Sequence, residues 1–209
     1  MGITDKQIQI LGVAEELFAA KGYEGTSVRD IAEAAGINVA MISYYFGSKE
    51  KLMETLFEQR TFRVRLRIEE LLKDDTLDPL AKVYLLVDDY IARLTTSEQF
   101  HKIMVCEMIV NKSPFITRIV AELKRKNTEV ISLLIKDGQE KRVFRKDVDV
   151  MMMMSTMFGT ITQILIGKEH YREINGLGSM SDAAFREELT ARLAKHIKTV
   201  FKALLTYEV

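Results

Sequence analysis

The chain contains few of the residues that mark several protein classes. Its 209 residues include one cysteine, two prolines and no tryptophan. A single cysteine, Cys106, excludes an internal disulfide and a zinc site built from several cysteines, and it is typical of a reducing compartment such as the cytoplasm. Two prolines and eleven glycines are too few for a turn-rich β-sandwich, and 47% hydrophobic residues exclude a disordered chain.

Net charge is also absent, because thirty basic residues balance thirty acidic ones. Any attraction for nucleic acid must therefore come from a local surface. Residues 150–167 carry no charge, and a segment of that length raises the question of a membrane span. Its serine, threonine, glutamine and glycine content, without a flanking basic cluster, instead favours a helix buried within an assembly.

Helical periodicity with recognisable start and stop signals runs through the chain. Thr4 followed by Gln7 predicts a capping box for a first helix that ends at Gly22. Further helices are predicted at 48–72, after Asp78, after Ser97, at 113–138, at 148–169 and at 181–205. Together with the two short helices described next, these segments predict an all-α fold of about nine helices.

Residues 26–50, TSVRDIAEAAGINVAMISYYFGSKE, carry the functional signal. Gly36 allows the positive φ of a tight turn, and Ala32 is small where two helices would cross. Thr26 or Ser27 can cap the first helix, and Asn38 can cap the second. Apolar residues that can fill the angle between the helices are Ile31, Ala35, Ile37, Ile42 and Tyr45. This pattern predicts a helix-turn-helix, whose second helix enters the DNA major groove.

With the preceding FAAKGYEGTS and the junction YFGSKE, the segment resembles the DNA-binding head of TetR-family (tetracycline-repressor-like) transcriptional regulators over residues 4–57. The resemblance implies a DNA-binding domain at 1–47 and a helical effector-binding and dimerisation domain at 48–209, linked by the helix that begins at 48. It also implies a homodimeric repressor released from a palindromic double-stranded DNA operator by a small, largely apolar effector. No enzymatic activity, cofactor, metal or membrane partner is expected.

The resemblance and the spacing together indicate which residues contact DNA. The second helix would present Asn38, Val39, Ala40, Met41, Ser43 and Tyr44 to the bases. Phosphate contacts are expected from Thr26, Ser27, Arg29, Tyr44 and Lys49. The family often has tyrosine in place of Ser43 and Lys-Gly in place of Val39-Ala40. With no arginine or lysine for guanine on this helix, base recognition is expected to be largely apolar. The first sixty residues carry six basic and nine acidic side chains, which predicts modest non-specific affinity.

Methionines and aromatic residues in the C-terminal part have two interpretations, ordinary core filling or a flexible apolar cavity for an effector. Candidate effector contacts are Phe62, Leu66, Tyr90, Phe100, His101, Met104, Glu107, Met108, Phe115, Met154, Met157, Phe158 and Gln163. The helices at 148–169 and 182–205 are the candidates for a four-helix dimer interface. The residues expected there are Ser155, Gly159, Gln163, Leu189, Leu193, Ile197, Val200 and Leu204.

Two further sequence features have ordinary structural interpretations. Glu98 and His101 have the spacing of a carboxylate–histidine metal pair, but no second pair accompanies them, so a surface or pocket histidine is favoured. Cys106, within an apolar segment, is expected to be a packing residue. The alternative function class is an all-α enzyme, ligand carrier or adaptor in which the helix-turn-helix is only structural.

Overall fold

The computed structural model describes residues 3–96, 98–107 and 114–206. This part of the chain forms ten α-helices and no β-strand, which confirms the all-α prediction and corrects the expected count of about nine. The helices are α1 (Asp5–Lys21), α2 (Val28–Ala34), α3 (Val39–Phe46), α4 (Lys49–Lys73), α5 (Pro79–Thr96), α6 (Glu98–Cys106), α7 (Pro114–Glu140), α8 (Val150–Ile166), α9 (Lys168–Ile174) and α10 (Asp182–Leu205).

Most of the predicted helix starts carry the expected cap. Thr4 and Gln7 form a complete capping box, and Gly22 ends α1 with φ of 75°. The Asp78 carboxylate accepts from the amides of Leu80 and Ala81 at the start of α5. The Ser181 hydroxyl accepts from the amide of Ala184 at the start of α10. The predicted caps Ser97 and Ser113 lie outside the described residues.

The additional helix arises at the end of the uncharged segment. The expected helix at 148–169 ends at Ile166, and α9 follows after Gly167 at an angle of 78°. Gly167 lacks a side chain to pack and costs helix stability, so the break falls at this position. Among the described residues, no single helix is long and apolar enough to cross a membrane, and α8 with α9 meets that criterion only as this bent pair.

The chain divides into two compact units. The first unit comprises Met1–Val64 and Ser97–Arg125, and the second comprises Arg65–Thr96 and Lys126–Val209, so α4 and α7 contribute to both. In the first unit α1 packs against α2 and α6, and in the second α10 packs against α5 and α8. The domain boundary predicted between residues 47 and 48 separates DNA binding from effector binding and dimerisation. It is a functional boundary and stays a prediction.

Candidate nucleic-acid interface

Apolar side chains anchor α2 and α3 to the core of the first unit. Ile31 and Ala32 on α2 are buried, as are Ile42 and Phe46 on α3. They share one apolar cluster with the buried face of α1 and with residues of α4, α6 and α7. One side of each short helix is therefore held by burial, and the other side remains free to face solvent or a ligand.

The turn between α2 and α3 has the geometry that the sequence predicts. Gly36 has φ of 62°, a region that residues with a Cβ rarely adopt. The Gly36 amide donates to Glu33 O, and the Ile37 amide donates to Ala32 O, 2.9 Å away. These bonds satisfy the last carbonyls of α2 and set the angle at which α3 begins.

Both short helices begin with a side-chain cap. The Ser27 hydroxyl accepts from the Asp30 amide at 3.1 Å, and the Asp30 carboxylate accepts from the Ser27 amide at 2.7 Å. The Ser27 hydroxyl also donates to the Asp30 carboxylate at 2.6 Å. This bond, together with that from the Ser27 amide, stabilises the carboxylate and lowers the pKa of Asp30 below its ordinary value. The Asn38 side-chain oxygen accepts from the Ala40 amide at 2.8 Å. Ser27 and Asn38 therefore act as caps, as predicted, and Ser27 rather than Thr26 caps α2.

One face of α3 is exposed. Tyr44 is 80% exposed and Val39 is 38% exposed, and Ala40 and Ser43 are also exposed. Met41 is half-buried. The Tyr44 ring packs edge-on against Tyr45 with centroids 5.1 Å apart, which holds an exposed aromatic side chain at the end of this face. Ser27 and Arg29 near the start of α2 are exposed as well.

Two of the expected phosphate contacts make internal hydrogen bonds. Thr26 is 1% exposed, and its hydroxyl donates to Gly22 O at 2.9 Å. Lys49, at the start of α4, donates through Nζ to Tyr23 O at 3.0 Å and to Thr26 O at 3.1 Å. The Lys49 Nζ also lies 4.1 Å from the centroid of the Tyr23 ring, a cation–π contact. Thr26 therefore ties the α1–α2 loop to the end of α1, and Lys49 ties the loop to α4.

Sequence reasoning did not identify Tyr23 as the residue around which this loop is built. Its amide donates to Glu107 Oε1 at 2.8 Å, and its ring lies 5.6 Å from that of Phe115 and 5.7 Å from that of Phe18. Burial, followed by the nearby Glu50 carboxylate, raises the pKa of Tyr23 above its ordinary value. Its position after the glycine that ends α1 is the sequence signal that could have indicated this role.

One of the nine acidic side chains in the first sixty residues pairs with one of the six basic ones, which leaves the acidic excess unchanged. Glu15 on α1 is buried, and its carboxylate accepts from Nε of Arg60 on α4 at 2.9 Å. This carboxylate is one of the nine acidic side chains from which modest non-specific affinity is predicted. Because Arg60 compensates its charge inside the first unit, it opposes DNA less than an exposed carboxylate would.

Known families match the chain along most of its length. Residues 10–56 match the family described as bacterial regulatory proteins, tetR family. Residues 57–168, more than half of the chain, match the family described as YsiA-like protein, C-terminal region. The chain belongs to the TetR family. It is a transcriptional regulator and not an enzyme.

Individual TetR relatives agree with this assignment. The probable HTH-type transcriptional regulator YttP of Bacillus subtilis is 31% identical over 140 residues, which cover 65% of this chain and 66% of the relative. The fatty acid degradation regulator FadR from Bacillus halodurans has a TM-score of 0.72 at 21% identity, with 97% of each chain covered. FadR from Bacillus subtilis, solved in complex with stearoyl-CoA, has a TM-score of 0.65 at 19% identity, with 92% of this chain and 97% of that chain covered. At these identities the two solved structures establish the fold alone.

The candidate effector contacts of this TetR-family chain fall in both units. In the first unit are Phe62, Phe100, His101, Met104, Glu107 and Phe115, and in the second are Leu66, Tyr90, Met154, Met157, Phe158 and Gln163. Met108 lies outside the described residues. The Phe100 ring meets that of Phe57 edge-on with centroids 4.9 Å apart. Phe100, Met104 and Phe115 pack against the apolar cluster that anchors α2 and α3, here called the reading head. Gln163 is exposed, and Phe62 and Leu66 on α4 are exposed by nearly half.

An arginine that the sequence analysis did not single out lies beside Tyr90. Both side chains are half-buried in the second unit, and burial lowers the pKa of Arg93 and raises that of Tyr90. Only the spacing of the two residues, one helical turn apart on α5, could have indicated this pair.

The candidate interface residues of α10 divide between core and surface. Leu189, Leu193 and Ile197 fill the apolar core of the second unit, so their side chains are occupied within the protomer rather than displayed on its surface. Val200 is half-buried, and Leu204 is exposed. The candidates on α8, Ser155, Gly159 and Gln163, are all exposed. Periodicity identified the apolar stripe of α10, but it could not distinguish an internal contact from an external one.

Within the described residues, no group of three or more histidine, cysteine, aspartate or glutamate side chains is arranged to hold a metal ion. His101 is buried, and its pKa is lowered by that burial, with a smaller opposing effect of Glu98. Cys106 is half-buried in α6.

Proposed function

We propose that the protein is a sequence-specific repressor whose α3 reads the major groove of a palindromic operator. The exposed face of α3, anchored from behind by Ile42 and Phe46, is the observation that carries this proposal. Val39, Ala40 and Ser43 lie along that face near the start of the helix, where major-groove readers contact base edges. Their small or apolar side chains suit thymine methyl groups better than guanine.

Phosphate binding is assigned to the exposed polar side chains that flank this face. Ser27 and Arg29 at the start of α2 and Tyr44 on α3 reach solvent. Thr26 and Lys49 act indirectly, because their hydrogen bonds fix the loop that carries Ser27. Asn38 contributes through its side-chain NH2, since its oxygen is used by the cap.

We propose that two copies bind the operator as a dimer through α8. Its exposed residues recur at helical spacing and form one continuous surface, here named the α8 stripe: Met152, Ser155, Thr156, Gly159, Gln163 and Ile166. Met152 and Ile166 are each more than 60% exposed, and Gly159 would let a partner helix approach closely. A two-fold pair would place its reading helices about 34–36 Å apart, one turn of DNA.

The effector is proposed to be a small, largely apolar molecule, with long-chain acyl-CoA as the first class to test. The FadR structure with stearoyl-CoA and the methionine-rich α8 support this choice. Phe62 lies on α4, which begins three residues after α3 ends, so an effector that contacts Phe62 would alter the helix-turn-helix through this helix. A coupling of about 1–3 kcal/mol would weaken operator affinity about 5–150-fold.

DNA recognition is tested by selecting duplexes from a randomised library with the wild-type protein and measuring their affinity by fluorescence anisotropy. Tyr44→Ala is expected to weaken binding at least about tenfold while leaving the circular dichroism spectrum unchanged, since the side chain is 80% exposed. Ile174→Ala, 69% exposed on α9, is the matched control and should bind like wild type. Equal affinity of the Tyr44 variant and the control would contradict the assigned face.

Effector release is tested on the same duplex by titration with stearoyl-CoA. Release is expected at concentrations where free coenzyme A, which lacks the apolar chain, has no effect. Release by coenzyme A alone would contradict an apolar effector, and no release by either compound would exclude long-chain acyl-CoA.

A further inference from the structure

The loop between α1 and α2 determines the direction in which the helix-turn-helix leaves α1. Gly22, with φ of 75°, ends α1, and Ser27 caps α2 five residues later. The loop is therefore short, and a change in its backbone would rotate α2 and, through the Gly36 turn, also α3. Tyr23 lies immediately after the bend and is buried.

Opposite charges hold the two polar backbone groups of Tyr23. Its amide donates to the Glu107 carboxylate at 2.8 Å, and its carbonyl accepts from the Lys49 ammonium at 3.0 Å. Both hydrogen bonds involve an ionised partner, which makes them stronger than ordinary backbone bonds. Glu107 is 1% exposed, so water cannot readily replace it at the amide.

Among the long-range hydrogen bonds that described side chains make to the backbone of residues 22–47, that of Glu107 comes from outside α1 and α4. Gln7 and Gln9 on α1 donate to Tyr45 O and Ala35 O, and Lys49 begins α4. Glu107 directly follows α6 and is 84 positions from Tyr23 in sequence. A movement of α6 would therefore reach the α1–α2 loop through this bond, even if α1 and α4 stayed in place.

We propose that Glu107 is a positioning residue for DNA recognition, which couples α6 to the α1–α2 loop by binding the Tyr23 amide. Glu107 is thus assigned to positioning the loop and not to contacting an effector. This assignment rests on the proposed DNA-binding function. Hydrogen bonds weaken steeply with length, so a displacement of α6 by about 1 Å would break this one. The loop would then lose one of the two charged side chains that hold the backbone of Tyr23, and α3 would be held less firmly at the angle that the operator requires.

The experiment compares Glu107→Met with Glu107→Gln in the full-length protein. Methionine is unbranched like glutamate but offers no good acceptor, whereas glutamine keeps an oxygen that can accept from the Tyr23 amide. Glu169→Gln, at an exposed position on α9, removes the same charge and is the control. Removing a negative charge by itself strengthens DNA binding. Weaker binding by Glu107→Met would therefore reflect the lost hydrogen bond to Tyr23 and not the lost charge.

Two readouts are used: affinity for the duplex selected by the wild-type protein, and hydrogen exchange of the Tyr23 amide without DNA. Glu107→Met is expected to weaken binding at least about fivefold and to speed exchange at Tyr23, with α1 and α2 still protected. Glu107→Gln should restore both values to within about twofold of wild type, and Glu169→Gln should leave exchange unchanged and should not weaken binding. If Glu107→Met does not fold, Glu107→Asp is used instead, since it keeps the charge but shortens the reach.

Unchanged affinity and exchange in Glu107→Met, or equal losses in the methionine and glutamine variants, would overturn the inference. Failure of the wild-type protein to select any duplex would instead overturn the proposed function, and the role in recognition with it. The two failures are therefore distinguishable.

Discussion

At the scale of single residues, burial changes what a polar side chain can do. Lys49 and Glu107 were expected at DNA and at an effector, but the folded chain uses both at the backbone of Tyr23. Glu15 is similarly held by Arg60. A charged group that loses water must gain a partner, and the nearest unpaired backbone group or opposite charge supplies it.

The burial of His101 is expected to make the free energy of unfolding depend on pH. It is 5% exposed, and burial lowers its pKa below the ordinary value of 6.5. As pH falls through 6.5, the unfolded chain therefore binds a proton that the folded chain does not, so the free energy of unfolding decreases. The decrease is at most about 1.4 kcal/mol per pH unit. Urea denaturation of wild type and His101→Gln at about pH 7.5 and about pH 5.5 measures it.

The variant lacks this group, so its stability should fall less on acidification than that of wild type. An identical pH dependence in both proteins would mean that His101 titrates normally in the folded state.

At the scale of helices, Gly138 near the end of α7 does not end the helix but makes room for a neighbouring side chain. The sequence predicts a stop at Gly138, but α7 continues to Glu140. The amides of Val143 and Phe144 then fold back and donate to Gly138 O. This places the buried Phe144 ring against the glycine, where a Cβ would lie 2.1 Å from ring atom Cδ2.

Gly138→Ala is therefore expected to lower the free energy of unfolding by about 1–3 kcal/mol, because the ring must move out of a closely packed site. Gly12→Ala is the control, since a Cβ at this position in α1 meets nothing within 4 Å. Alanine there should stabilise the protein by about 0.5–1 kcal/mol through helix propensity. Thermal unfolding followed by circular dichroism gives both values, and effects of the same sign would contradict this account of Gly138.

At the scale of the whole molecule, the α8 stripe leaves apolar side chains exposed on a helix that carries no charge. Only Met153 and Ile161 of α8 are buried among its described residues. A helix of this composition has its remaining apolar face available to a second copy, and closed two-fold pairs are the commonest soluble oligomers.

Gly159→Glu is expected to convert the dimer into a monomer, because it places a charge and a long side chain in the middle of the α8 stripe. Within one protomer a Cβ at Gly159 meets nothing within 4 Å, so the fold itself should tolerate the change. Gly178→Glu, also in open space, is the matched control. Light scattering at micromolar concentration measures the mass, and a dimer that persists in Gly159→Glu would locate the interface elsewhere.

Local patterns predicted the helices and the turn of the reading head well. Thr4, Ser27, Asn38 and Ser181 act as helix caps, and Gly36 has the positive φ that its place between two helices requires. These features depend on residues within four positions of one another, so their energetics are readable from the chain. The break at Gly167 was missed because an uninterrupted apolar run suggested one long helix.

Long-range pairings were not predicted in the same way. The apolar stripe of α10 contains Leu189, Leu193 and Ile197. The neighbouring sequence does not indicate whether this stripe packs against α5 and α8 of the same protomer or against a second copy of the chain. Likewise, Tyr23 and Glu107 are 84 positions apart in sequence. Such choices depend on which surfaces compete for burial after the helices have formed, and that is a property of the assembled core.

The sequence by itself determined the helical class, the helix-turn-helix and the family, because each depends on short-range spacing of caps, glycines and apolar residues. Only the tertiary structure decided which charged groups were drawn inside. Glu15 and Glu107 are buried and Lys49 is half-buried, and each acquired a partner at least 23 residues away. Desolvation makes such a partner necessary, but only the folded chain brings it within reach.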